Sequence, residues 1–133
     1  MTRLETPFVI DGDLIIVEAF LTGPRRTTRG SFVLDTGAAF TTMTPEIADL
    51  IGYSARDGVK RTRVRTAVSS EEGYLLRVAG LDALGVSMTS FSVHVFDLGH
   101  ENIDGLVGLN FLNELNNEIR SAERRILVER IQP

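Results

Sequence analysis

Cysteine is absent from all 133 residues, which excludes disulfides, thiolate metal sites and cysteine nucleophiles. Histidine is almost absent as well. Only His94 and His100 can supply imidazole, and they do not sit at a metal-ligand spacing. No metal is expected, and no cofactor. His94, inside "FSVHVF", reads as pointing outward from a strand. Long apolar runs are missing: the longest, "LIIVEAFL" at 14–21, is far too short to span a bilayer and contains Glu18. No membrane partner is expected. No signal-peptide pattern opens the chain, and the expected location is cytoplasmic. Nor is there an excess of basic charge. Acids outnumber Lys and Arg by 18 to 14, a net charge of -4, which gives nucleic acid no attraction. The local basic run "KRTRVR" at 60–65 reads as a solvated strand face.

What is present suits an ordinary globular domain, with 43% hydrophobic and 24% charged residues. Residues 1–133 are read as one domain, long enough for a core but too short for two full lobes. "DLIIVEAFL" (13–21) is β-branched and aromatic without a helical stripe, so a buried strand is expected. "TGPRRTTRG" (22–30) has turn chemistry and predicts a hairpin loop, with "SFVLD" (31–35) as the returning strand. "FTTMT" (40–44) is extended. "TPEIADLIG" (44–52) predicts a short helix capped by Thr44, started by Pro45 and stopped by Gly52. Ile47, Leu50 and Ile51 form its apolar face. "RVRTAVS" and "GYLLRVAGL" flank "SEEG" (70–73) as a hairpin with a polar tip. "SFSVHVFDL" (90–98) alternates with period two and so has one buried face.

The C-terminal third is open. Leu112, Leu115, Ile119, Ala122 and Ile126 are spaced as on one long amphipathic helix. Against that, "RRILVE" (124–129) is β-branched at its centre and "SAER" (121–124) can turn. Many short strands with little helix elsewhere predict an all-β barrel or sandwich.

Two stretches carry chemistry. In "SFVLDTGAAFTT" (31–42) a hydrophobic strand runs straight into Asp35 and then turns. Thr36 can bond neighbouring backbone, Gly37 permits a conformation or close approach that a Cβ forbids, and Ala38 keeps the adjoining wall small. On the tripeptide alone an ordinary turn explains these residues too. In "DGLVGLNFL" (104–112), Gly105 and Gly108 bracket Leu106 and Val107. This is neither a dinucleotide fingerprint nor a phosphate loop. It fits a loop packed closely against another.

"FVLDTGA", "TPEIADLIG", a hairpin ending "EGYLLRV" and then "DGLVGLNFL" follow one another in an order that resembles the retroviral-type aspartic proteases, or retropepsins. The likeness is closest to their bacterial and archaeal single-domain relatives. It implies an all-β, closed acid-protease barrel with one or two short helices, a single lobe that dimerises. It implies that Asp35 is the catalytic carboxylate, that Thr36 bonds across to the partner's equivalent loop, and that Gly37 meets the substrate backbone. Ala38 would support the same loop. Leu106, Val107 and Gly108 would pack beneath the catalytic turn, Leu106 also touching substrate. The hairpin around 68–73 would be a flap whose Val68, Ser69 and Ser70 cover a bound peptide. The resemblance also implies a short helix near 109–115 and strands near 116–120 and 125–130. The chain departs from the retroviral pattern in two ways. Ala39 and Phe40 stand where acidic residues often grip the peptide, and Leu109 stands where an arginine often supports the loop, so that support is absent or replaced.

Hydrolysis of a peptide by activated water needs a base and an acid together. One carboxyl cannot be both, whereas two carboxyls about 3 Å apart share one proton and divide the roles. The chain contains a single "DTG". A symmetric homodimer is therefore expected, with Asp35 of each subunit on the two-fold axis and an extended polypeptide as substrate. Terminal strands including "RRILVE" would build an intersubunit sheet. The competing reading is a catalytically silent dimeric module of the same fold that binds peptide or scaffolds without turnover.

Overall fold

In the computed structural model, which describes residues 3–65 and 70–130, the chain opens with short strands β1 (Arg3–Pro7) and β2 (Val9–Asp11). A long hairpin follows, β3 (Leu14–Thr22) and β4 (Thr27–Leu34), then the two-residue strand β5 (Thr42–Met43) and helix α1 (Pro45–Ile51). A second hairpin pairs β6 (Lys60–Arg65) with β7 (Ser70–Ala83), which continues into β8 (Val86–Val95). Strand β9 (Gly105–Val107), helix α2 (Leu109–Leu112), β10 (Leu115–Arg120) and β11 (Arg125–Arg130) complete the chain.

Eight strands form one sheet in the order β2-β3-β4-β9-β5-β8-β7-β6, and β3 also pairs with β7. That extra pairing curls the sheet towards a barrel around Phe32, Met43, Leu76, Leu81 and Phe111, all fully buried. The barrel is partial rather than strictly closed. β2 and β6 lie outside the ring as edges, and β5 contributes only two residues to it. The charges of β6 suit an edge, because unpaired strand edges invite aggregation and lysine or arginine side chains oppose it. Arg63 pairs with Glu72 of β7 at 3.0 Å, both well exposed.

Several local expectations shift by a few residues. β3 is not buried throughout: Val17, Ala19 and Leu21 face the core while Glu18 and Phe20 face out, because one side of this strand is solvated. The loop after it is only 23–26, since Thr22 and Thr27 already pair. In α1, Thr44 Oγ1 accepts the Ile47 N–H at 3.3 Å, and Gly52 at φ 105° ends the helix in the left-handed region. Ile47, Ala48 and Ile51 are its buried residues, whereas Leu50 is 38% exposed and drops out of the expected face. Ser70, Glu71 and Glu72 are strand residues opposite Arg65, Val64 and Arg63, not the hairpin tip. The connection falls on 66–69, outside the described residues, and takes Val68 and Ser69 with it.

The helical spacing of the C-terminal third is overridden. α2 stops at Leu112, and β10 and β11 form a hairpin in register Leu115↔Arg130 to Arg120↔Arg125. β1 pairs with the other side of β11, Arg3 opposite Glu129 and Pro7 opposite Arg125. β11 is thus the centre of a three-stranded sheet. Both its edges are hydrogen-bonded within the chain, so "RRILVE" cannot itself add an intersubunit strand. No helix among the described residues is long and apolar enough to cross a membrane.

Candidate active site

Strand β4 ends at Leu34, and its last buried residues, Phe32 to Leu34, fix where the next carboxylate emerges. Asp35 is half-buried, while Thr36 and Gly37 after it are exposed. The Asp35 N–H donates to the Val107 carbonyl at 3.0 Å, tying the turn to β9. The Gly37 N–H donates to Asp35 Oδ1 at 2.9 Å, which holds one carboxylate oxygen against its own loop. The Ala38 N–H closes the turn on the Asp35 carbonyl at 3.3 Å.

β9 supports the turn because it is wedged between two strands. It runs parallel to β4, with Leu106 opposite Val33, and antiparallel to β5, with Leu106 opposite Thr42. Asp104, just before it, accepts the Ser31 N–H at 2.9 Å through Oδ2, and its carbonyl accepts the Thr44 N–H at 3.0 Å. After β9, backbone meets backbone. A Cβ at Gly108 would lie 2.6 Å from the Phe40 carbonyl carbon and oxygen. The Leu109 and Asn110 N–H groups donate to the Ala38 and Ala39 carbonyls at 2.8 and 3.1 Å. Asp35, Gly37, Ala38, Leu106, Val107 and Gly108 therefore belong to one assembly of two interlocked loops. Ser70 lies on a separate element, as the first residue of β7.

Two residues of this assembly were not singled out from sequence. Asn110 Oδ1 accepts the Thr41 N–H at 2.7 Å, and its Nδ2 donates to the Ser92 carbonyl at 2.8 Å. Thr41 is fully buried, and its Oγ1 accepts the Gly108 N–H at 3.1 Å. Support for the loop is thus replaced rather than absent where Leu109 stands: a neutral amide bridges three segments without an ion pair. An asparagine within the otherwise apolar "LNFL" was the one available signal. Nothing local marked Thr41.

His94 does not simply point outward. Its ring is half-buried, within hydrogen-bonding distance of Thr62 Oγ1 through Nε2, and packed edge-on to Phe40 and Phe96. Burial pushes its imidazole below the ordinary histidine value.

The architecture has counterparts among solved structures. A retropepsin-like aspartic protease from Rickettsia conorii is 20% identical, with a TM-score of 0.71 over 96% of this chain and 89% of that one. The retroviral protease-like domain of Ddi1 from Leishmania major is 16% identical, with a TM-score of 0.51 over 99% of this chain and 96% of that one. Identities this low establish the fold alone, and the fold is retropepsin-like. A comparison with curated protein sequences gives no match. The family model described as aspartyl protease matches residues 20–111, a span that contains both interlocked loops and the β6–β7 hairpin. The chain belongs to the aspartyl protease family.

Proposed function

We propose that this protein is an aspartic endopeptidase that hydrolyses peptide bonds in an extended polypeptide, using two Asp35 carboxylates of a homodimer. The observation that carries the reading is the Asp35 turn. The Gly37 N–H holds the carboxylate and the Val107 carbonyl anchors the Asp35 backbone N–H, while Thr36 and Gly37 stay exposed for a second copy. With one such turn per chain, a base and an acid meet only when two chains do. Two carboxyls about 3 Å apart do not both ionise, and the proton they share belongs to the pair.

In the proposed reaction the ionised Asp35 takes a proton from the bridging water. The protonated one donates to the scissile carbonyl oxygen. The resulting tetrahedral diol collapses as a proton passes to the leaving amine. Gly37 and Leu106 line the substrate, Thr36 links the two turns, and Ala38 with Val107 and Gly108 supports them. The β6–β7 hairpin acts as the flap, excluding water and adding the peptide as a strand, with Val68, Ser69 and Ser70 nearest to it. Because β11 is paired on both sides, β1 and β10 are the terminal strands with an edge left for intersubunit pairing. Activity is expected in mildly acidic solution, where the pair carries one proton.

Asp35→Asn tests the reading. The variant should remain dimeric by sedimentation and lose cleavage of a denatured protein. A wild-type chain that is monomeric at high micromolar concentration counts against the mechanism. Wild type and variant equally inactive, but both dimeric, would favour the silent binding module.

A further inference from the structure

We propose that His94 is a positioning residue for this hydrolysis, a clamp that ties the outer strand of the β6–β7 hairpin to the segment leading out of the Asp35 turn. The role rests on the peptidase reading above. The observation behind it is that one side chain and its backbone touch three elements. His94 lies on β8, opposite Leu75 of β7 and Thr42 of β5, and its backbone N–H donates to the Thr41 carbonyl at 2.8 Å. Its Nε2 meets Thr62 Oγ1 on β6. Its ring packs edge-on to Phe40, centroids 6.4 Å apart at 80°, and to Phe96, 4.9 Å apart at 68°.

β6 needs such a tie. It is an edge strand whose ladder partner is β7 alone. Beyond its pairing with β7, the Thr62–His94 contact joins β6 to β8. Phe40, 41% exposed, is the fifth residue after Asp35 and follows the carbonyls that α2 holds. A hairpin anchored to His94 is therefore registered against the Asp35 turn through the Phe40 ring and the Thr41 carbonyl. Freed from His94, it is registered through the ladders that β7 makes with β8 and β3.

The chemistry around the ring favours the neutral form. β6 carries Lys60, Arg61 and Arg63, β7 carries Glu72 and Arg77, and β8 leads on to Asp97. Arg63 is paired with Glu72, and Arg77 donates to the Ser90 carbonyl. No carboxylate is hydrogen-bonded to the ring among the described residues, and Phe40 has no charge to offer a cation. Burial lowers the imidazole pKa, which acts in the same direction and favours the neutral ring.

The test combines amide hydrogen exchange with peptide-cleavage kinetics on the full chain, using Thr62→Val, His94→Ala and His94→Gln. Thr62→Val keeps the shape of the side chain and removes the hydroxyl. It and His94→Ala should speed exchange at 60–65 by about tenfold and leave the β10–β11 hairpin unchanged. Both should lower kcat/KM about tenfold, chiefly through KM, because the carboxylate pair is untouched. His94→Gln retains a hydrogen-bonding partner that does not titrate. It should restore both readouts and remove one ionisation from the acidic limb of the pH profile. Unchanged exchange in Thr62→Val would overturn the clamp. Faster exchange with unchanged kcat/KM would overturn its positioning role. A wild-type chain that cleaves nothing removes the peptidase reading and His94's part in it, whereas exchange alone decides whether the tie exists.

Discussion

Gly108 and Thr41 lock two loops together: the Gly108 N–H donates to Thr41 Oγ1 at 3.1 Å, with the threonine fully buried. The approach this requires leaves no room at Gly108, where a Cβ would also meet the Ala38 carbonyl oxygen at 2.8 Å. Both obstacles are backbone, so neither can swing aside. Gly108→Ala should destabilise the fold by about 1–3 kcal/mol, the range for overpacking a filled site. Urea denaturation measures it; a midpoint equal to wild type would show that the loops separate easily.

Asn110 satisfies a backbone donor that has no other acceptor at hand. Asn110→Ala leaves the Thr41 N–H without its 2.7 Å partner and the Ser92 carbonyl without its donor. An unpaired buried amide costs about 1–3 kcal/mol. The Thr41 amide should exchange faster with solvent while amides in β11 do not. Asn110→Asp should also be destabilised, because it places a carboxylate oxygen against the Ser92 carbonyl.

Thr44 caps α1 through a single side-chain bond to the Ile47 N–H. Thr44→Ala should cost about 1 kcal/mol, and Thr44→Ser should recover most of it, because serine supplies the same acceptor. The comparison separates the cap from the packing of the threonine methyl.

Acid stability should carry a signature of His94. Burial lowers its folded-state value below the ordinary 6.5, so the unfolded chain binds this proton more readily. The contribution to stability is fully present above pH 6.5 and is lost as pH falls through the lowered folded value. Denaturation midpoints measured from about pH 8 to about pH 5 should fall less steeply in His94→Gln than in wild type. Identical slopes would mean that the ring titrates alike folded and unfolded.

Local chemistry made much of this molecule legible. Thr44, Pro45 and Gly52 delimit α1 because capping is settled within a turn of helix. "FVLDTGA" and "DGLVGLN" could be read as partners because their glycines and small residues suit close backbone contact, and β4 and β9 do pair, Leu34 opposite Val107. The positions of β3, β4, β7 and β8 were readable to within a few residues, whereas β1, β2 and β9 were not read as strands.

The chain order determined that a strand ends on Asp35, that a second glycine-bracketed motif exists to meet it, and that only one such acid is available per subunit. The spacing of Leu115 to Ile126 left helix and strands open, and the hairpin that the family resemblance implied is the one the tertiary structure builds. β11 gains its second partner from β1, at the far end of the chain, and a long-range hydrogen-bond ladder leaves no periodic trace in a local window. Tertiary structure alone brought Asn110 to Thr41 and His94 to Thr62, because side chains on different strands meet only after the sheet curls. Spacing along a sequence reports what one segment can do by itself, whereas these contacts depend on which segments are folded side by side.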